Sequence, residues 1–187
     1  MARVNTKQLI TEAAVRVAAQ HGISGASMDQ IAEAAGVAKG SLYYNFASKD
    51  AIFEEVIRAG FERLATTIDE ARDGVDPGEA PRAVAAATLE TLRSNLDLAK
   101  LMASEVFRTD RTWAESMELA RSSVVMRFRD VLRDAEAARG GSRPSEEITE
   151  IAGAAFFGAL AGACLDWLLF RKDQPVERVL DQVLRTV

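Results

Sequence analysis

The order of hydrophobic and polar residues along the chain predicts helices almost throughout. Between residues 9 and 17 hydrophobic side chains recur three or four positions apart, and Gly22 is expected to end that helix. The same spacing continues over residues 52–68, in a long helix that Ser48 is expected to cap. No strand-like alternation persists, so the expected fold class is all-α with about nine helices. The later helices are predicted near 82–95, 97–107, 111–138, 145–171 and 175–186.

Two polar segments separate the later helices. Residues 73–81 read DGVDPGEAP and residues 139–144 read RGGSRP, and both are rich in the turn formers glycine and proline. Ser145, followed by Glu146 and Glu147, has the residue types of a helix start, because a serine caps free amides and acids favour the first turn. The helix 145–171 is therefore expected to begin there.

Residues 27–46 contain two short predicted helices separated by a glycine turn. Ser27 and Gln30 have capping-box spacing, in which the serine hydroxyl accepts from an amide three residues on and the glutamine reaches back to the serine amide. Gly36 is expected to take the left-handed conformation that ends the first helix. Two short helices joined in this way are the content of a helix-turn-helix motif.

The outer face of the second short helix carries groups that can contact DNA. A glycine permits close approach to the major groove, a lysine offers charge to a phosphate or a guanine edge, and hydroxyl and amide groups offer hydrogen bonds. The next helix start, with Lys49, and the earlier one at Ser27 can each bind a phosphate through free amides. The candidates on the second helix are Lys39, Gly40, Ser41, Tyr43, Tyr44 and Asn45.

The charge distribution restricts nucleic-acid contact to the N-terminal quarter. The whole chain carries −5, yet residues 1–49 hold five basic and three acidic residues, a surplus of +2. The remaining residues hold 18 basic and 25 acidic side chains, so phosphate would repel them.

The string SMDQIAEAAGVAKGSLYYNFASK at residues 27–49 resembles the TetR family of bacterial regulators. An Ala-Ala pair at 13–14 and His-Gly at 21–22 also fall where that family has its first helix and its end, and the likeness covers residues 5–58. The resemblance implies a homodimer whose recognition helices enter successive major grooves of a palindromic operator. It carries the family's DNA contacts to the eight candidates named above, with Asn45 standing where the family usually has histidine. The expected domains are a DNA-binding domain at 1–49 and a helical effector-binding and dimerisation domain at 50–187.

The segment 145–171 is hydrophobic on nearly all sides, so it must be covered on all sides. One subunit can cover one face, and a second copy is expected on the other; two glycines four residues apart allow close approach of two helices. The last helix is expected to complete a four-helix interface. The alternative is the central core helix of a monomer. The expected interface residues are Phe156, Gly158, Gly162, Val176, Val179, Leu180 and Val183.

Large aromatic and flexible side chains in the helical body suit an apolar effector pocket, and they suit an ordinary core equally well. The family resemblance favours the pocket, so the expected effector is small and partly hydrophobic. Glu105, Arg121 and Asp166 lie in these apolar segments, either to orient a polar group or as surface charges. The candidate lining is Phe61, Leu64, Met102, Phe107, Trp113, Met117, Val124, Phe128, Phe157, Leu160 and Trp167.

The sequence lacks the residues that several classes of functional site require. His21 is the single histidine and Cys164 the single cysteine, so neither a metal site nor a catalytic triad is expected, and no nucleotide-binding motif or other cofactor signature occurs. The longest uncharged stretch, 151–165, is short for a membrane span, so no membrane partner and a cytoplasmic location are expected. We expect a ligand-responsive repressor that is not an enzyme; the alternative is a constitutive DNA-binding regulator or activator without an effector.

Overall fold

The computed structural model describes residues 5–105, 114–140 and 147–186, and these residues form nine helices and no strand. The all-α expectation is confirmed. The helices are α1 (Thr6–Gly25), α2 (Met28–Ala35), α3 (Lys39–Asn45), α4 (Lys49–Arg72), α5 (Ala80–Ser94), α6 (Leu96–Glu105), α7 (Ala114–Ala138), α8 (Glu150–Phe170) and α9 (Val176–Thr186).

The chain divides into two compact units. The first comprises residues 1–60 and 97–119, and therefore holds α1 to α3, the first half of α4, and α6. The second comprises residues 61–96 and 120–187, and holds α5, most of α7, α8 and α9. The domain boundary expected after residue 49 stays a prediction.

Local signals fix the helices of the first unit. Gly22 has φ 69° and ψ 165°, so it kinks α1, and a last turn continues to Gly25. Ser27 and Gln30 form the expected capping box at the start of α2. Gly36 ends α2 in the left-handed conformation with φ 66° and ψ 29°, as expected.

In the second unit α8 packs tightly on α7. A β-carbon added to Gly153 would lie 2.3 Å from the carbonyl oxygen of Val125, so glycine permits this approach of two backbones. Next to it, Phe128 packs edge-on against Phe156 at 5.3 Å and stacks on Phe157 at 5.7 Å between ring centroids. These contacts are part of the core of the unit.

The predicted start of α8 was wrong. Ser145 and Glu146 lie outside the described residues, but Glu147 and Ile148 are not part of α8, and the helix begins at Glu150 behind Thr149. Ile148 is buried just before the helix starts. Thr149, at the N-cap position, makes no side-chain capping hydrogen bond.

Candidate nucleic-acid interface

Helix α3 is buried on one face and exposed on the other. Leu42 is fully buried, and Phe46 is buried where the helix ends. Tyr43 is half exposed and Tyr44 is 91% exposed, although a tyrosine ring is largely apolar. The helix therefore presents both tyrosines to solvent.

The small residues of this helix leave its surface accessible. A β-carbon added to Gly40 would meet no other atom within 4 Å, so the chain's own packing does not require glycine there. Ser41 is half-buried, and its carbonyl accepts a hydrogen bond of 2.8 Å from the side-chain amide of Asn45. The phosphate contact expected of Asn45 stays a prediction, and its amide already turns back along its own helix.

Lys39 forms an ion pair that its position in the sequence does not reveal. Its Nζ lies 2.7 Å from Oδ2 of Asp29 in the first turn of α2, and both side chains are mostly exposed. The hydrogen bond and the charge of that carboxylate raise the pKa of Lys39, so its ammonium stays charged. The two residues are ten apart, and only the angle between α2 and α3 brings them together.

The other two candidates lie at helix starts. Nζ of Lys49 donates to the carbonyl oxygen of Ser24 at 3.2 Å, which is a neutral partner, and no carboxylate in the described part of the chain forms an ion pair with it. Oγ of Ser48 accepts from the amide of Ala51 at 3.1 Å, as expected for the cap of α4. The Ser27 hydroxyl accepts from the amide of Gln30 at 3.2 Å and is exposed.

Lys7 of α1 contacts the residue that follows α3, and sequence reasoning missed it. Its Nζ lies 5.5 Å from the centroid of the Phe46 ring and 2.9 Å from Oε1 of Glu55 on α4. Partial burial raises the pKa of Glu55, but hydrogen bonds from Arg58 and Lys7 outweigh it, so the pKa lies below its ordinary value. A basic residue just N-terminal to the first apolar repeat was the available signal.

The predicted dimer residues divide into two groups. Gly158 and Gly162 lie on the exposed side of α8, where an added β-carbon would meet nothing within 4 Å. Val176 and Val179 are half-buried. The other three were expected on the outer surface but face the chain's own core, where α5 and α7 to α9 cover them. They are Phe156, Leu180 and Val183.

The outer side of α8 exposes large hydrophobic side chains that the sequence analysis did not assign to the interface. Ile151 is 80% exposed and Phe170 is 79% exposed at the two ends of the helix, and Leu169 is also exposed. By length and composition α8 is the one helix among the described residues that is apolar enough to cross a membrane. It nevertheless packs one side into the core and exposes Asp166, which pairs with Arg171 at 2.6 Å.

Most residues of the predicted effector pocket that the structure describes are buried, and the pocket itself stays a prediction. Within the second unit Phe157 is half-buried on Phe128 and Trp167 donates its ring N–H to the carbonyl of Gln174 at 2.8 Å. Met102 is buried in the first unit beside Gly60. Phe107, Trp113 and the side chain of Met117 lie outside the described residues. Fully buried members are Phe61, Leu64, Val124, Phe128 and Leu160.

Two cavities in the second unit lie away from this set. One of about 530 Å³ lies between the turn before α5, the end of α7, the start of α8 and the end of α9. The other, of about 380 Å³, lies between α8 and α9. Apart from Trp167, which lines the smaller cavity, no described member of the predicted lining borders either one.

Cys164 and the remaining polar candidates show no reactive arrangement. Cys164 is fully buried, and burial raises the pKa of its thiol to about 11, so it stays protonated. Glu105 is buried in the first unit, and Arg121 is half-buried. Within the described residues no cluster of three or more histidine, cysteine or acidic side chains fits a metal ion.

Comparison with known proteins finds similarity to bacterial transcriptional regulators in the N-terminal region. Residues 10–56 match the family model of bacterial regulatory proteins of the tetR family. The HTH-type transcriptional repressor AcnR of Corynebacterium efficiens is 36% identical over 67 residues, 36% of each protein. The regulator AcrR of Shigella flexneri is 41% identical over 51 residues, 27% of this chain and 24% of that protein. The chain thus matches about a third or less of the length of these two relatives.

The structural likeness extends over nearly the whole chain. A candidate fatty acid metabolism regulator of Clostridium perfringens superposes with a TM-score of 0.81 at 28% identity, over 94% of both chains. The transcriptional regulator FadR of Bacillus subtilis, solved in complex with stearoyl-CoA, superposes with a TM-score of 0.79 over 95% of both chains. The identity to FadR is 18%, so that likeness shows the fold alone.

Proposed function

We propose that this chain, whose residues 10–56 match the family model of bacterial regulatory proteins of the tetR family, is a homodimeric transcriptional repressor of that family. It binds a palindromic operator and releases it when a small, partly hydrophobic effector binds the helical body. The outward face of α3, with its open Gly40 and exposed Tyr43 and Tyr44, is the observation that carries the proposal. A cytoplasmic location follows from this function.

DNA recognition follows from what α3 offers. Tyrosine hydroxyls donate to phosphate and the ring edges contact thymine methyls, while Ser41 supplies a hydroxyl close to the helix backbone. Lys49 supplies positive charge at the start of α4, where free amides also favour an anion. Base contacts from α3 and backbone contacts from its neighbours together fix one half-site.

Dimerisation is supported by the uncovered side of α8. Ile151, Gly158, Gly162 and Leu169 lie on exposed positions of one helix whose other side is core. A second copy covers such a surface with the same surface of its own, because a two-fold axis makes the contact reciprocal. The small residues at the middle of α8 allow the two helices to approach closely.

The effector class is taken from the structural relatives. The likeness at 28% identity to a candidate fatty acid metabolism regulator supports an amphiphilic ligand with an acyl chain. FadR of Bacillus subtilis, which shares the fold, was solved with stearoyl-CoA. We therefore assign a fatty acyl thioester as the first effector to test, in keeping with the hydrophobic body of the chain.

Two measurements test the function in sequence. Selection of duplexes from a random pool by the purified protein is expected to return a palindrome. Adding stearoyl-CoA is then expected to release that duplex and to raise thermal stability, by about 2.7 kcal/mol at a hundredfold excess over Kd. Coenzyme A without an acyl chain is the control. Failure to select any sequence contradicts the DNA-binding function, while stabilisation without release favours a constitutive regulator.

A further inference from the structure

The two lysines of the interface are held differently. Nζ of Lys49 meets the neutral carbonyl of Ser24 at 3.2 Å, so its charge is available to an anion. Nζ of Lys39 meets the carboxylate of Asp29 at 2.7 Å, so its charge is already balanced. A phosphate oxygen approaching Lys39 therefore competes with a carboxylate that is in place before the DNA arrives.

The backbone geometry keeps the Asp29 carboxylate close to Lys39, where it competes with phosphate. Asp29 lies in the first turn of α2, where the helix dipole favours a carboxylate, and Lys39 is the first residue of α3. The turn between these helices is set by Gly36 in the left-handed conformation, so both partners stand on fixed backbones. The side chains are 66% and 62% exposed, and an ion pair so exposed adds little to folding stability. Its consequence therefore lies in the charge presented to DNA.

We infer that Asp29 withholds Lys39 from the DNA backbone, so that α3 meets DNA with a neutral pair and Lys49 carries the phosphate contact. Asp29 is a positioning residue for Lys39, and this inference rests on the proposed DNA-binding function. Non-specific affinity comes almost entirely from phosphate contacts. Removing one such contact from each subunit lowers binding to DNA of any sequence and leaves the base-contacting face of α3 to determine affinity.

Salt dependence measures the number of phosphate contacts directly. The slope of log affinity against log salt changes by ~0.9 for each phosphate that a lysine or arginine newly neutralises or ceases to neutralise. Asp29→Asn frees Lys39 and is expected to steepen the slope by about 1.8 for a dimer. Between 50 and 200 mM salt this corresponds to an extra loss of affinity of about 12-fold, on the selected duplex and on a scrambled duplex of the same length.

The variants form a double-mutant cycle. Lys39→Met alone is expected to leave the slope unchanged, and in the Asp29→Asn background it is expected to remove the added steepness. Lys49→Met is expected to make the slope shallower by about 1.8. Glu33→Gln is the matched control, because it removes the same charge one turn further along the same exposed face of α2. All four side chains are at least partly exposed, so thermal unfolding should confirm that every variant folds.

Three results would overturn the inference. One is a shallower slope for Lys39→Met equal to that for Lys49→Met, because Lys39 then contacts phosphate despite Asp29. Another is an Asp29→Asn slope equal to wild type. The third is equal steepening by Glu33→Gln, which indicates a general charge effect. If the wild-type protein selects no sequence from the random pool, the proposed function itself fails before the variants are compared.

Discussion

Gly40 is a residue where helix stability and DNA contact make opposite demands. It lies in the first turn of α3 with open space around its missing side chain, and it has no positive φ to require glycine. Gly40→Ala is therefore expected to stabilise the fold by up to about 1 kcal/mol, a rise of a few degrees in Tm. If glycine serves close approach to the groove, the same variant should lose at least about tenfold in affinity for the selected duplex.

Testing this role of Gly40 requires both measurements, the expected gain in stability and the expected loss of DNA affinity. Thermal unfolding and fluorescence anisotropy on the same preparation give them together. An alanine variant that binds the duplex as tightly as wild type would show that the helix does not approach DNA at this point. A variant that loses stability as well as affinity would show that folding, not contact, requires glycine at position 40.

At this scale the sequence predicted the residues whose roles are local. Ser27 and Gln30 cap α2 and Gly36 ends it because these effects depend on neighbours three or four positions away. The ion pair between Asp29 and Lys39 could not be predicted from the sequence, because it depends on the angle between two helices. Hydrophobic spacing shows which side of a helix is buried, but it does not show how two exposed charges meet.

At the scale of the elements, α8 contains glycines with different tasks. Gly153 faces backbone atoms of α7, with the Val125 oxygen at 2.3 Å and the Arg129 nitrogen at 2.8 Å from an added β-carbon. Gly158 faces open space on the exposed side. Gly153→Ala is therefore expected to destabilise the fold by about 1–3 kcal/mol, because neither backbone can move aside without parting the two helices.

Urea unfolding at two protein concentrations distinguishes the two glycines. Gly153→Ala should lower the midpoint equally at both concentrations. Gly158→Ala should leave the subunit fold intact or improve it by up to about 1 kcal/mol, since alanine favours helix. If this glycine serves a close contact with a second copy, its variant weakens only the concentration-dependent part of stability. A midpoint for Gly153→Ala equal to wild type would contradict the packing described for α7 and α8.

The faces of α8 show why sequence alone placed this helix incompletely. In a helix that is apolar on every side, hydrophobic residues do not concentrate on one face. The sequence pattern therefore does not show which face is core and which is outer surface. Phe156 was expected on the interface and is core, while Ile151 is exposed. The start of the helix was also misplaced, because Ser145 and Thr149 both precede acids and the sequence offers either as a cap.

At the scale of the whole molecule, the uncovered side of α8 predicts self-association of definite strength. Burying an isoleucine side chain contributes about 1.5–3 kcal/mol, and a two-fold axis buries it once from each copy. Ile151→Glu removes both contributions and places two carboxylates in an apolar contact. The expected loss is therefore at least about 3–6 kcal/mol, or roughly 10²- to 10⁴-fold in the Kd of the dimer.

Leu119→Glu provides a matched control, because Leu119 is 70% exposed on α7 and lies outside the α8 surface. Sedimentation velocity at micromolar concentration should then give a dimer for the wild-type protein and for Leu119→Glu, and a monomer for Ile151→Glu. The monomer should keep its helical content, since Ile151 makes little contact within its own subunit. It should also bind a half-site and the full palindrome with similar affinity. Dissociation by both substitutions, or by neither, would move the interface away from this face of α8.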